Sequence, residues 1–117
     1  MLRKKRVVPN YPSGTVGFYN ERENYSSFKA KKNAVSMDDL EPIHRVRYKS
    51  ESIRERDIQT AEQLGKTLTL KISCPLCPGL TTESKALIRN TLYDVAYIDP
   101  AGKQVFVYLE GGREIDS

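Results

Sequence analysis

At Gly65 the hydrophobic period of the chain changes, and few folds accommodate what lies on its two sides. Upstream, Ser52 to Leu64 places Ile53, Asp57/Ile58, Ala61 and Leu64 on one face at helical spacing, with charged residues on the others. Ser52 is positioned to cap the first turn, Glu55 follows three residues later as in a capping box, and Gly65 can stop the helix in the left-handed conformation. Downstream, Lys66 to Ile72 alternates strictly: Leu68, Leu70 and Ile72 point one way and Thr67, Thr69 and Lys71 the other. A single helix of about three turns cannot bury its stripe alone, so it must lie against a sheet or a neighbouring subunit.

The remaining periodic segments are all strand-like. Thr15 to Asn20 is a possible strand, and in Pro42 to Tyr48 the residues Ile43, Arg45 and Arg47 face away from His44, Val46 and Tyr48. Lys85 to Asn90 reads as a short strand, Leu92 to Ile98 as a longer one and Gln104 to Glu110 as the last. Asp99-Pro100-Ala101-Gly102 has the residues of a type I turn ending at glycine, which makes the last two strands a hairpin. Leu92, Ala96 and Ile98 lie on one face of its first strand and Tyr93, Val95 and Tyr97 on the other. Its second strand sets Val105, Val107 and Leu109 against Phe106 and Tyr108. Both faces are semi-apolar, so the second packs on the helix or on another chain.

With 117 residues there is room for one modest core. The expected fold is mainly β (α+β): a small antiparallel β-barrel or rolled sheet with one inserted amphipathic helix at about 52–64, in residues 40–117, preceded by an extended basic N-terminal arm, 1–39, with a possible strand. Mean hydropathy is −0.56, no apolar run approaches the roughly 18 residues of a membrane span, and the first residues lack a signal-peptide h-region. These features lead to the expectation of an intracellular protein with no membrane partner. Eleven Lys/Arg stand against five Asp/Glu before Ser50, and eight against ten from there on. An acidic partner would therefore meet the N-terminal half, where Arg3, Lys4, Lys5 and Arg6 are candidate basic contacts, with Lys29, Lys31, Lys32, Arg45, Arg47 and Lys49 beyond them.

Both cysteines occur in Ser73-Cys74-Pro75-Leu76-Cys77-Pro78-Gly79-Leu80. A structural zinc site needs four ligands, and the chain offers two cysteines and one histidine, His44, thirty residues upstream. A thioredoxin-like pair needs a helix N-terminus at the first cysteine, which Pro78 and Gly79 forbid. Nothing in the spacing joins His44 to either thiol as a nucleophile pair. No phosphate-binding glycine loop precedes a helix, since Gly111-Gly112 follows the last strand. Asp38, Asp39 and Glu41 form a loop cluster. The residues carry no catalytic constellation, metal or cofactor, and the expected protein is not an enzyme. Segment 74–83 reads as a stiff strand-to-strand connection whose thiols stay reduced in a cytosol.

From Ile43 to Ile115, the succession "IHRVRY", "SESIRERDIQTAEQLG", "KTLTLKI", "LYDVAYID" and "QVFVYLEGGREI" resembles the head-closure proteins (head-tail adaptor, joining or stopper proteins) of long-tailed bacteriophages. That resemblance implies a structural virion protein assembled in the host cytoplasm and located in the neck. It implies a homo-oligomeric ring of roughly twelve-fold symmetry, between the portal or adaptor on the head side and the tail terminator or tail completion protein on the tail side, helping to retain packaged DNA in its channel. Under this reading Cys74, Pro75, Leu76, Cys77, Pro78, Gly79, Leu80, Thr81, Thr82 and Glu83 form a candidate channel-facing or neighbour-facing loop. Tyr93, Tyr97, Phe106 and Tyr108 are the candidate subunit interface. The alternative is a small nucleic-acid-binding β-barrel that uses its basic N-terminal half.

Overall fold

The computed structural model describes residues 10–22 and 37–115. Its elements are β1 (Gly14–Glu21), a short 3-10 turn (Met37–Asp39), β2 (Leu40–Glu51), α1 (Glu55–Gln63), β3 (Leu68–Pro75), β4 (Lys85–Ile88), β5 (Thr91–Ala101) and β6 (Gln104–Glu114). All pairings are antiparallel and the six strands close into a ring in the order β1-β2-β3-β6-β5-β4. The expected mainly β fold with one inserted helix is thus observed.

Alternation in β3 from Leu70 onward and in β6 builds the interior, while a register shift between Leu68 and Leu70 leaves Leu68, expected to face inward with them, outside the core cluster. Leu70 lies opposite Leu109, Ile72 opposite Val107 and Cys74 opposite Val105, all on the inner face. These residues pack with Val16, Phe18, Tyr48, Ala86, Ile88 and Val95 in one cluster. Val16 and Phe18 are completely buried, and β1 bridges β2 to β4. The boundary drawn at 39/40 therefore does not separate an arm from a domain: without Gly14–Glu21 the ring would be open along two strand edges.

Bulges explain where simple alternation fails. Phe18 pairs with His44 but Tyr19 pairs with Pro42, so Ile43 is an extra residue and packs on the core beside Val46 instead of facing away from it. In β5, Val95 pairs with Leu109 and Tyr97 with Tyr108, leaving Ala96 as the extra residue. The parity reverses there, and Ile98 joins Val95 at the core rather than sharing a face with Leu92 and Ala96. Opposite Tyr93, β6 carries the pair Gly111-Gly112, with φ of 73° and 122°. These glycines extend the last strand beyond Glu110 to Glu114 and are part of it, not residues that follow it.

Two turns also differ from expectation. Asp99 and Pro100 remain in β5, paired with Phe106 and Val105, and the reversal occurs at Gly102-Lys103, where Gly102 supplies φ of 70°. Strand β4 stops at Ile88, and Arg89-Asn90 form a two-residue turn with Arg89 at φ 57°. At the helix, the cap lies at Arg54, two residues after Ser52. The Asp57 carboxylate, rather than that of Glu55, reaches back to accept from the Arg54 backbone N–H at 2.9 Å. Gly65 ends the helix as expected. Its N–H bonds to the Glu62 carbonyl and that of Lys66 to the Ala61 carbonyl, the two bonds of a Schellman motif, with φ of 72° at Gly65.

Candidate functional site

Two regions concentrate chemistry, one under the helix and one at the end of the ring where β3 runs out. The first lies on the outer face of β3, β5 and β6. Lys71 points outward as alternation requires, yet it is buried because α1 lies over it. Its ammonium donates to Asp57 Oδ2 at 3.0 Å and sits 5.2 Å and 5.4 Å from the ring centroids of Tyr108 and Phe106. The Tyr108 hydroxyl donates to Asp57 Oδ1 at 3.4 Å, and Tyr108 stacks on Tyr97 with centroids 3.9 Å apart. Burial would raise the Asp57 pKa, but the Arg54 N–H, the bond and charge of Lys71 and the Tyr108 hydroxyl outweigh it and hold the carboxyl below its ordinary value. Burial, with the nearby Tyr108 and Asp57, pushes the Tyr97 hydroxyl up to about 12.

Of the aromatic residues expected at a subunit interface, Tyr97, Phe106 and Tyr108 share this outer face, while Tyr93 packs against the inner core and over Gly112. Tyr108 is covered by the molecule's own helix. A groove of about 520 Å³ remains open beside the cluster, between the Glu51–Arg56 segment and Phe106. The helix buries only Asp57 and Ala61 of its predicted stripe, leaving Ile58 45% and Leu64 54% exposed.

The second region is the Cys-Pro segment. Cys74 and Pro75 belong to β3, not to a loop, and Cys74 is fully buried on its inner face. The chain then folds back over the end of the ring rather than standing away from it. Leu76 N–H donates to the Lys103 carbonyl at 3.3 Å, Leu80 N–H to the Cys77 carbonyl at 3.1 Å, and Ser84 N–H to the Thr81 carbonyl at 3.0 Å. The Ser84 hydroxyl reaches Asn20 Oδ1 of β1 at 2.5 Å. Leu80 packs on the core, Cys77 is 7% exposed, and Pro78, Gly79, Thr81, Thr82 and Glu83 are exposed along with Leu76 at 47%.

The sequence spacing offered no link between His44 and the thiols, yet the fold supplies one. The ring nitrogen Nε2 of His44 lies 2.6 Å from the Pro78 carbonyl, one residue beyond Cys77. A hydrogen bond between the two thiols lowers Cys77, burial opposes it, and the His44 charge lowers it further, to about 7. The same thiol–thiol bond, then burial and the charge of Cys77, push Cys74 up. The contact of the β3–β4 connection with β2 sets the His44 ring against the backbone that follows Cys77. Only the Phe18–His44 register, invisible in linear spacing, could have announced it. Among the described residues no three His, Cys, Asp or Glu side chains are grouped to hold a metal ion.

The basic residues divide. Arg3, Lys4, Lys5, Arg6, Lys29, Lys31 and Lys32 lie outside the described residues. Arg45, Arg47 and Lys49 are exposed on β2, and Arg47 donates to the Tyr11 carbonyl at 3.2 Å. Arg45 lies opposite Gly17, which lies opposite Leu87, so Arg45 and Arg89 border a groove of about 360 Å³ on the outer face, floored by Gly17 and flanked by Tyr19. No helix among the described residues is long and apolar enough to cross a membrane. No protein-family model matches the sequence, and a search of curated proteins finds no match.

Proposed function

We propose that the chain is a non-enzymatic structural subunit of the neck of a long-tailed phage, a head-closure connector assembled in the host cytoplasm and incorporated in the virion. It forms a ring between the portal or adaptor and the tail, with packaged DNA in the channel. The observation that carries this reading is a separation of exposed apolar groups. Ile58 and Leu64 lie on the helix that covers Lys71 of β3, and Leu76 lies just past the end of that strand. At about 3.3 Å per residue the five residue steps from Lys71 to Leu76 span about 16 Å. A cyclic ring of identical subunits is held by a heterologous contact, in which two different patches of each copy meet. Ile58 and Leu64 on one side and Leu76 on the other would supply the two halves of such a contact. The succession of strand, helix, strand, connection, strand and hairpin agrees with the resemblance noted above.

The test is electron microscopy of the chain co-expressed with the portal and adaptor proteins of its own genome. Rings seated on the portal are expected for the native chain, and their loss for Ile58→Asp and Leu64→Asp, which alter exposed positions and leave the core intact. A chain that stays monomeric with those partners and is missing from purified virions overturns the reading.

A second reading, binding of single-stranded nucleic acid, is favoured by the groove bordered by Arg45 and Arg89, because Tyr19 provides beside them an aromatic ring on which a base could stack. It requires oligonucleotide affinity that falls steeply with salt and drops in Arg45→Ala/Arg89→Ala. Affinity indifferent to both removes it.

A further inference from the structure

We propose that Cys77 and Cys74 form a dithiol site, in which Cys77 is the attacking thiol and Cys74 the resolving one, and that the site takes small apolar disulfides. Four features of the geometry carry this. Both cysteines are free and belong to the same buried cluster, and the Cys77 thiol turns back toward β3, donating to the Pro75 carbonyl at 3.2 Å. They differ in access: Cys74 is sealed on the inner face of β3, while Cys77 lines an apolar groove of about 300 Å³ with Leu76, Pro78, Leu80, Ile98 and Val105. The groove reaches solvent past the exposed Leu76 and Pro78, so a flat apolar reagent meets Cys77 first. Finally, His44 from β2 stands beside the segment, with Nε2 against the Pro78 carbonyl.

The polarity of the pair follows from the same contacts. Cys77 is the thiol that meets the groove, and the neighbouring Cys74 thiol and, against burial, the His44 charge hold it below its ordinary value, so Cys77 is the one that gives its proton to solvent. Such activation replaces the helix N-terminus that Pro78 and Gly79 exclude. The Cys77 thiolate attacks one sulfur of the incoming disulfide; a new S–S bond forms, the old one breaks and one thiolate leaves. Cys74 passes its proton to the departing thiolate and attacks the Cys77 sulfur, and the second thiolate leaves and takes back from solvent the proton that Cys77 had released. In sum, two protein thiols give up two electrons and two protons, and one disulfide is reduced to two thiols. The product bond ties the end of β3 to the connection that closes the ring, so the position of residues 76–83 becomes dependent on the surrounding redox poise.

The experiment uses the folded full-length chain and the aromatic disulfide 4,4′-dithiodipyridine, whose released thione is coloured. The native chain is expected to release two thiones per chain while folded, with an intact mass lower by two hydrogens and no retained adduct. Cys74→Ser is expected to release one and to keep one thiopyridyl group on Cys77. In Cys77→Ser, the sealed Cys74 is expected to react at least tenfold more slowly than Cys77 in the native chain. The titratable groups facing the pair are His44 from β2 and Tyr11 beside Cys74, so the pH profile of the first release is measured in His44→Gln and Tyr11→Phe. A rise of its midpoint in His44→Gln alone supports the assigned activation. The proposal is overturned if the native chain releases no thione before it unfolds, if it retains two adducts without an internal bond, or if Cys77→Ser reacts as fast as the native chain. The native-chain measurement decides even where a variant does not fold.

Discussion

The Lys71 ammonium and the Asp57 carboxylate meet at 3.0 Å in the contact between the helix and the ring, with side chains only 10% and 7% exposed. Asp57 is also the residue whose carboxylate accepts from the Arg54 N–H, so one side chain both starts the helix and fastens it to β3. Leu64 and Ile58, the larger apolar members of the helical stripe, remain outside this contact. The helix is therefore held by a buried ion pair with its hydrogen bonds, by the aromatic rings of Tyr108 and Phe106 around Lys71, and by Ala61.

Removing one partner of that pair leaves the other charge buried. Asp57→Asn is expected to lower unfolding free energy by about 3 kcal/mol, in the range for breaking a buried pair. Lys71→Met is expected to be less costly, because Asp57 keeps the Arg54 N–H and the Tyr108 hydroxyl. The double variant should lose less than the sum of the two, with a coupling of roughly 0.5–3 kcal/mol. Ser52→Ala, at the position where the sequence pattern suggests the cap, should change stability by less than about 0.5 kcal/mol. Urea denaturation of the five chains checks all of these.

Stability should fall at both extremes of pH. The Asp57 pKa is lowered in the folded state, so its contribution is present above the unfolded carboxyl value of about 3.9 and is lost as pH falls through the folded value. Tyr97 is raised to about 12 and Tyr108 is raised as well. Their contribution is present below the unfolded tyrosine value of about 10 and is lost as pH rises through the folded values. Denaturation midpoints measured against pH should show both limbs, with Asp57→Asn flattening the acid limb and Tyr97→Phe the alkaline one.

At Gly112 an added Cβ would stand 2.9 Å from Tyr93 Cε1, and φ is 122°. Gly112→Ala is expected to cost about 1–3 kcal/mol through backbone strain and displacement of the Tyr93 ring. Gly102→Ala meets nothing within 4 Å and should cost only the left-handed backbone penalty, about 1–2 kcal/mol. Thermal or urea unfolding of the two variants tests the ordering.

Arg89 is a non-glycine residue at φ 57° in the two-residue turn between β4 and β5. Arg89→Gly relieves a cost of roughly 1–2 kcal/mol while adding unfolded-state freedom worth about 0.5–1 kcal/mol. A net gain of up to about 1.5 kcal/mol is expected in chemical denaturation. If the same substitution also weakens oligonucleotide binding, the groove shared with Arg45 is the reason.

The sequence by itself determined the class of fold and most of its strands, because alternation such as Leu70-Ile72 and Val105-Val107-Leu109 is a local property that water enforces on any half-buried strand. It also determined the helix stop, since a glycine at the end of an amphipathic run has a conformational freedom that no neighbour needs to supply. Tertiary structure alone decided the rest. The bulges at Ile43 and Ala96 reverse the parity of two strands, and only the partner strand's register requires them. The turn moved from Asp99–Gly102 to Gly102-Lys103 because pairing with Val105 and Phe106 kept Pro100 and Asp99 in the strand. Asp57 became the capping carboxylate because Lys71, fourteen residues away, held it there. Cys74 and Cys77, which local spacing made a stiff connection, acquired a histidine neighbour only when the closing of the ring brought β2 alongside. Contacts of this kind depend on which backbone hydrogen bonds pair across distant segments, and no window along the chain contains both partners.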